Sequence, residues 1–294
     1  MLYQHFDLKT LEQEYSPSSC IDDINLYIQQ YIDQSKTALL NAQMNNKVHV
    51  NLPYGKNKDE VLDLFLPFDP AHSKQKLQVY IHGGYWQELS KNESSFAASN
   101  FQQQGYHFAV LNYSLAPKAT LTEIVEQNRR ALIWLYHHAN KYGYDNNEIY
   151  LSGSSAGGHL AMMMAFTDWS KYLNVNHTII KGICAVSGIY DLTPIAHTYI
   201  NAPLQLTDKE VKEYSPALLK VNNTQLQSCS IIFAYGDNET QEFKRQSVAM
   251  KNKLDEQNLT TIIAEIKNRN HFDIIVDLAN ETSWLSQQVF LQMK

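Results

Sequence analysis

Tyr150-Leu151-Ser152-Gly153-Ser154-Ser155-Ala156-Gly157-Gly158-His159-Leu160 is the stretch whose reading settles the class of this chain. It contains a G-x-S-x-G pentapeptide, Gly153 to Gly157, centred on Ser155. Asn147-Glu148-Ile149-Tyr150-Leu151 before it suits a short buried strand, and Leu160 through Phe166 after it suits a helix. A strand, a sharp glycine-flanked turn and a helix make a nucleophile elbow, which holds one serine in a strained conformation with its hydroxyl exposed. Side chains at the flanking glycines would collide with the neighbouring strand and helix. Ser155 also stands where the helix begins, so an anion formed beside it meets free N–H groups and the positive end of the helix dipole. A serine nucleophile is therefore expected at position 155.

A second feature lies upstream. Leu77-Gln78-Val79-Tyr80-Ile81-His82 reads as a strand and runs into Gly83-Gly84-Tyr85-Trp86. A His-Gly-Gly turn at the end of an early strand is where serine hydrolases built on such elbows place the other half of an oxyanion hole. The expected donors are backbone N–H groups of Gly84 and Tyr85 from this loop, and of Ala156 from the elbow. Loss of one such donor typically costs about 3 kcal/mol of transition-state stabilisation.

The remaining partners should follow the serine in the order acid, then histidine. Ser230 through Tyr235 reads as a strand followed by Gly236-Asp237-Asn238-Glu239, which offers two carboxylates. Thr261 through Ile266 reads as another strand followed by Asn268-Arg269-Asn270-His271-Phe272. Of the eleven histidines, His271 alone has this order and this strand-end setting. It would take the Ser155 proton and return it to the leaving group, with a carboxylate fixing its tautomer. His82 reads as a structural loop residue and His159 as a packed helix residue.

Composition narrows the classes. The chain has 294 residues, 44% of them hydrophobic, and a net charge of −6, so it has ample core and no basic field for nucleic acid or an anionic membrane. The first residues show no basic-then-apolar leader, and no apolar run is long enough to span a bilayer. Three scattered cysteines, Cys20, Cys184 and Cys229, make no disulfide framework and suit a reducing, cytoplasmic setting. No nucleotide-binding glycine fingerprint is present. No histidine–carboxylate cluster has metal-ligand spacing, so neither a metal nor a cofactor is expected. A homodimer is compatible with the sequence, which does not fix the oligomeric state.

Strands near 47–52, 60–66, 77–82, 108–112 and 179–187 alternate with helices near 22–44, 93–104 and 121–142. That alternation predicts a mainly parallel central sheet covered by helices on both faces. Together with the elbow, it predicts the α/β-hydrolase fold in a single domain over 1–294. Residues 1–20 read as irregular, within an N-terminal helical segment of about 1–46 whose helix has two equally natural places, over the site's mouth or packed elsewhere. Residues 190–222, broken by Pro194, Pro203 and Pro216, read as a cap-like insertion.

Several runs together resemble the kynurenine formamidase (arylformamidase) family of α/β-hydrolases, whose esterase relatives carry similar motifs. They are His82-Gly83-Gly84-Tyr85-Trp86-Gln87, Asn112 through Leu121, Gly153 through Ala161, Val186 through Leu192, Ser215-Pro216, Glu242 through Ser247 and His271-Phe272. The resemblance runs from Tyr15-Ser16-Pro17-Ser18 to about Ile274, most of the chain. It implies hydrolysis of N-formylkynurenine to kynurenine and formate, in tryptophan breakdown, through a formyl-enzyme on Ser155. The family register, fixed by Glu242-Phe243, selects Glu239 over Asp237 as the acid. The chain departs from the family pattern there, with glutamate in place of aspartate, and again at Ser154, where the animal enzymes have histidine. Tyr85, Trp86 and Tyr190 are the candidates to face an aromatic substrate. The alternative is a carboxylesterase or acylamide hydrolase on the same machinery. A non-catalytic binding module is a third reading, disfavoured because every member of the triad is available.

Overall fold

Eight strands form one sheet in the computed structural model, which describes residue 3 and residues 5–294. The strands are β1 (Val48–Pro53), β2 (Val61–Phe65), β3 (Leu77–Ile81), β4 (His107–Leu111), β5 (Ile149–Ser154), β6 (Ile180–Val186), β7 (Ser230–Asn238) and β8 (Thr261–Asn270). Their spatial order is β1-β2-β4-β3-β5-β6-β7-β8. The β1–β2 and β2–β4 pairs are antiparallel, and every pair from β4 to β8 is parallel. The helices are α1 (Leu8–Glu14), α2 (Ile24–Met44), α3 (Ala98–Gln103), α4 (Leu121–Tyr142), α5 (Ala156–Ala165), α6 (Asn201–Leu204), α7 (Asp208–Glu213), α8 (Asn223–Leu226), α9 (Gln241–Asp255) and α10 (Trp284–Gln292).

Strand alternation divides the core between the two faces of this sheet. Val79, Ile81, Ala109, Leu111, Leu151, Ile183 and Ala185 point to one face, where they meet α4 and α5 residues such as Leu132, Leu135 and Leu160. Tyr80, Phe108, Val110, Tyr150, Cys184 and Val186 point to the other, where they meet Tyr31, Phe101 and Leu285. Burial on both sides explains why β3 and β4 are apolar along nearly their whole length.

The long helices follow from their sequences. In α4, Leu121, Ile124, Val125, Ala131, Leu132, Leu135 and Ala139 recur at helical spacing on the buried face. The Thr120 side chain caps the Glu123 N–H, and Gly143, at φ +83°, ends the helix in the left-handed conformation. In α2, small residues Ser35, Ala38 and Ala42 let the C-terminal half pack closely, after Tyr31.

The expected alternation of strands and helices is present, with shifted ends. Asn147 and Glu148, read as strand, lie outside β5, and the helix expected over 93–104 is shorter, Ala98–Gln103, after a 3₁₀ turn at Lys91–Glu93. The reading of 1–20 as irregular is corrected: Leu8–Glu14 is a helix whose N-cap Asp7 accepts a 2.8 Å hydrogen bond from the Thr10 N–H. With Leu11 as its only buried residue, this segment is too short for a periodic signal; it is held by tertiary contacts with α9. Residues 190–222 carry only short helical pieces, among them α6 and α7. Among the described residues no helix is long and apolar enough to cross a membrane.

Candidate active site

Ser155 caps α5 with φ +57° and ψ −121°, a conformation that costs a non-glycine residue energy and persists only where the surroundings impose it. Those surroundings are backbone. A Cβ on Gly157 would lie 2.0 Å from the Ile81 carbonyl oxygen, and one on Gly153 would lie 2.3 Å from the Gly157 carbonyl oxygen. The turn therefore closes only with glycine at both places. The Ser155 N–H donates to the Val186 carbonyl at 2.9 Å, which ties the elbow to β6. Ala156 opens α5, so its N–H lies outside the helix ladder.

The Gly83–Tyr85 loop lies against this turn. A Cβ on Gly83 would stand 2.8 Å from the Ser154 carbonyl oxygen and 3.4 Å from Ser155 Cβ. Gly84 has φ +91° and Tyr85 φ +51°. The Tyr85 hydroxyl donates to the Tyr15 carbonyl at 2.5 Å, so the N-terminal segment braces the loop.

Beyond β7, Glu239 is buried, and its two oxygens have separate tasks. Oε1 accepts from the Ser187 hydroxyl and the Gly236 N–H, both at 2.6 Å. Oε2 faces His271 Nδ1 at 2.9 Å. A carboxylate on Nδ1 holds the proton there and leaves Nε2 as the acceptor of the neutral ring. The His271 ring is walled by Phe243, with centroids 4.4 Å apart, and by Phe272 at 5.4 Å. Asp237 is not part of this contact. Its Oδ1 accepts from the Arg269 N–H at 3.3 Å, and its Oδ2 lies 3.8 Å from Lys267 Nζ.

Ser155 and His271 both line one cavity of about 290 Å³, with Gly83, Gly84 and Tyr85. Ile24, Ile28 and Tyr31 of α2 form another wall, together with Phe272 and Ile275. The α2 residues carried a signal in their helical spacing, whereas Phe272 and Ile275 reach the cavity through a turn that only the fold defines.

Two expected substrate contacts are corrected. Trp86 is fully buried beneath its loop, with its ring edge-on to His159 at 5.0 Å between centroids. Tyr190 is fully buried against Phe233, and its N–H donates to Gln246 Oε1. Neither lines the cavity, whereas Tyr85 does. The other histidines near the site are structural. His82 stacks on Tyr113 at 4.1 Å, and His159 Nε2 bonds the Tyr214 carbonyl at 2.7 Å. Burial lowers the pKa of each to about 4.

This fold and this elbow define an enzyme of the α/β-hydrolase class. The family model described as BD-FAE matches residues 62–254. Kynurenine formamidase of Danio rerio is 36% identical over 292 residues, covering 96% of this chain and 95% of that one. Among solved structures, a candidate thioesterase from Silicibacter sp. tm1040 superposes with a TM-score of 0.79 at 25% identity, covering 94% of this chain and 97% of that chain. Esterase B from Lactobacillus rhamnosis shares the fold with a TM-score of 0.68 at 18% identity, covering 95% and 94%. The chain belongs to the BD-FAE family and to the kynurenine formamidase family.

Proposed function

We propose that the protein is an arylformamidase that cleaves N-formylkynurenine to kynurenine and formate. The observation that carries this reading is the buried Glu239–His271 contact, 2.9 Å long, on the same cavity as the elbow serine, in a chain whose relative of that name matches it nearly end to end. In the proposed reaction Ser155 Oγ attacks the formyl carbon while His271 Nε2 takes its proton. The oxyanion of the tetrahedral intermediate accepts hydrogen bonds from backbone N–H groups of Ala156 and of the Gly84–Tyr85 loop. Collapse breaks the C–N bond, and His271 returns the proton to the departing arylamine. A formyl group remains on Ser155. Water, deprotonated by His271, then attacks it and releases formate. Three free cysteines agree with work in a reducing compartment such as the cytoplasm.

The test is steady-state kinetics on N-formylkynurenine and on p-nitrophenyl acetate. Wild-type enzyme should favour the formamide in kcat/KM, and Ser155→Ala should lose nearly all turnover of both while keeping its circular dichroism. A strong preference for the acetate would make the protein a carboxylesterase. Full activity in Ser155→Ala would overturn the nucleophile.

A further inference from the structure

The cavity contains a buried hydroxyl that the chemistry above leaves unused. Tyr80 lies in β3, three residues before Gly83, and is 3% exposed while lining the cavity. Its ring sits edge-on to Phe96 at 5.4 Å. Its hydroxyl makes no hydrogen bond among the described residues. The buried Tyr190 hydroxyl is also without a partner among them, but Tyr190 does not line the cavity. Tyr15, Tyr31, Tyr54, Tyr85, Tyr113 and Tyr144 each place theirs on a protein acceptor. A buried hydroxyl left without a partner costs free energy unless something enters to bond it. The adjoining wall is Ser154, also buried with its hydroxyl free of protein partners. Burial drives the Tyr80 pKa well upward, so the phenol stays protonated and acts as a donor.

The cavity also restricts what that donor meets. Among the described residues no lysine or arginine lines it, and the one carboxylate that does is Glu88, which is exposed. Apolar walls and no deep cation favour a neutral acceptor inside, with charged substituents left toward water.

We propose that Tyr80 is a specificity-determining residue whose hydroxyl donates a hydrogen bond to a second, neutral carbonyl oxygen carried on the ring beside the scissile group. N-formylkynurenine carries such a ketone ortho to its formamide, so this role for Tyr80 rests on the arylformamidase reading. A site built to bond such a group discriminates against analogues that lack it, because its own donor is left unpaired.

The probes are ortho-formamidoacetophenone, which carries the ketone, and formanilide, which lacks it. Tyr80→Phe keeps the ring and removes only the oxygen. It should lower kcat/KM for the ketone probe about tenfold, the worth of one such hydrogen bond, and leave formanilide within about twofold. The intrinsic reactivities of the probes cancel when each is compared with wild type. Equal losses on both would show a structural role for the hydroxyl and overturn the proposal, as would no loss on either. If wild type cleaves neither formamide, the arylformamidase reading fails on its own. The same comparison is then made with ortho-acetylphenyl acetate and phenyl acetate. Loss of discrimination in Tyr80→Phe would still support the ketone contact, and unchanged discrimination would overturn it.

Discussion

At the residue scale the informative pair is Glu239 and Asp237, two carboxylates separated by one residue. Glu239 is buried, holds Ser187 and Gly236 on one oxygen and faces His271 with the other. Asp237 faces Lys267 and the Arg269 backbone. The glutamate's extra methylene matters little, because Ser187 and the Gly236 N–H fix where the carboxylate sits. Glu239→Gln removes the charge that would stabilise the imidazolium and presents an amide to Nδ1. It should cut kcat by roughly 10³- to 10⁴-fold, as loss of a triad acid does elsewhere. Asp237→Asn should stay within about threefold, because this half-buried side chain near the end of β7 makes no contact with His271. Kinetics of the two variants on one substrate, with folding checked by circular dichroism, decide the matter. A larger loss in Asp237→Asn would reassign the acid.

At the element scale, α1 and the residues after it act as a brace between two loops that sequence separates widely. The Glu14 carbonyl accepts from the Thr240 hydroxyl at 2.6 Å, and Glu14 Oε2 accepts from the Glu242 N–H at 3.0 Å. The Tyr15 hydroxyl donates to Glu242 Oε2 at 2.8 Å and accepts from Gln246 Nε2 at 2.7 Å, while its carbonyl holds Tyr85. The segment thus touches both the Gly83–Tyr85 loop and the start of α9, beside Glu239. Tyr15→Phe leaves Glu242 and Gln246 each short of a buried partner and should cost about 1–2 kcal/mol of stability. Urea unfolding measures this, and an unchanged midpoint would mean the brace is incidental. None of these contacts is visible in the sequence, since α1 has one buried apolar residue and the partners lie 70 positions away at Tyr85 and more than 220 away at Thr240, Glu242 and Gln246.

Over the whole molecule, buried neutral histidines tie stability to pH. His82, His107 and His159 each have a pKa lowered from 6.5 to about 4, with burial as the largest cause. In the unfolded chain these rings take protons near 6.5, so between about 6.5 and 4 the unfolded state binds more protons and stability rises with pH. Acidification through that window should therefore weaken the fold. His159 isolates the effect, because its neutral ring sits between Tyr214 and Trp86. His159→Gln should lose about 1–3 kcal/mol less than wild type when urea unfolding is compared at about pH 7 and about pH 4.5. Equal losses would assign the acid sensitivity elsewhere.

The sequence by itself determined what is local. The elbow is a steric problem solved within five residues, and its glycines are required by backbone atoms, as the clashes at Gly153 and Gly157 show. Strand and helix alternation likewise reads out from residue spacing, so the order of most elements was legible, with α1 missed for want of a period. The partner of His271 was half legible: two carboxylates stood at the right strand end, and only the approach of β8 to β7 sets Glu239 against His271. The cavity wall was decided by the tertiary structure alone. Trp86 and Tyr80 flank the same strand end, yet Trp86 turns into the core while Tyr80 opens onto the cavity. Period-two alternation assigns side chains to opposite faces of a strand, but it cannot say which face a distant helix will roof over a void. That is settled by α2 and the Phe272–Ile275 turn, which meet above β3 only once the chain has folded.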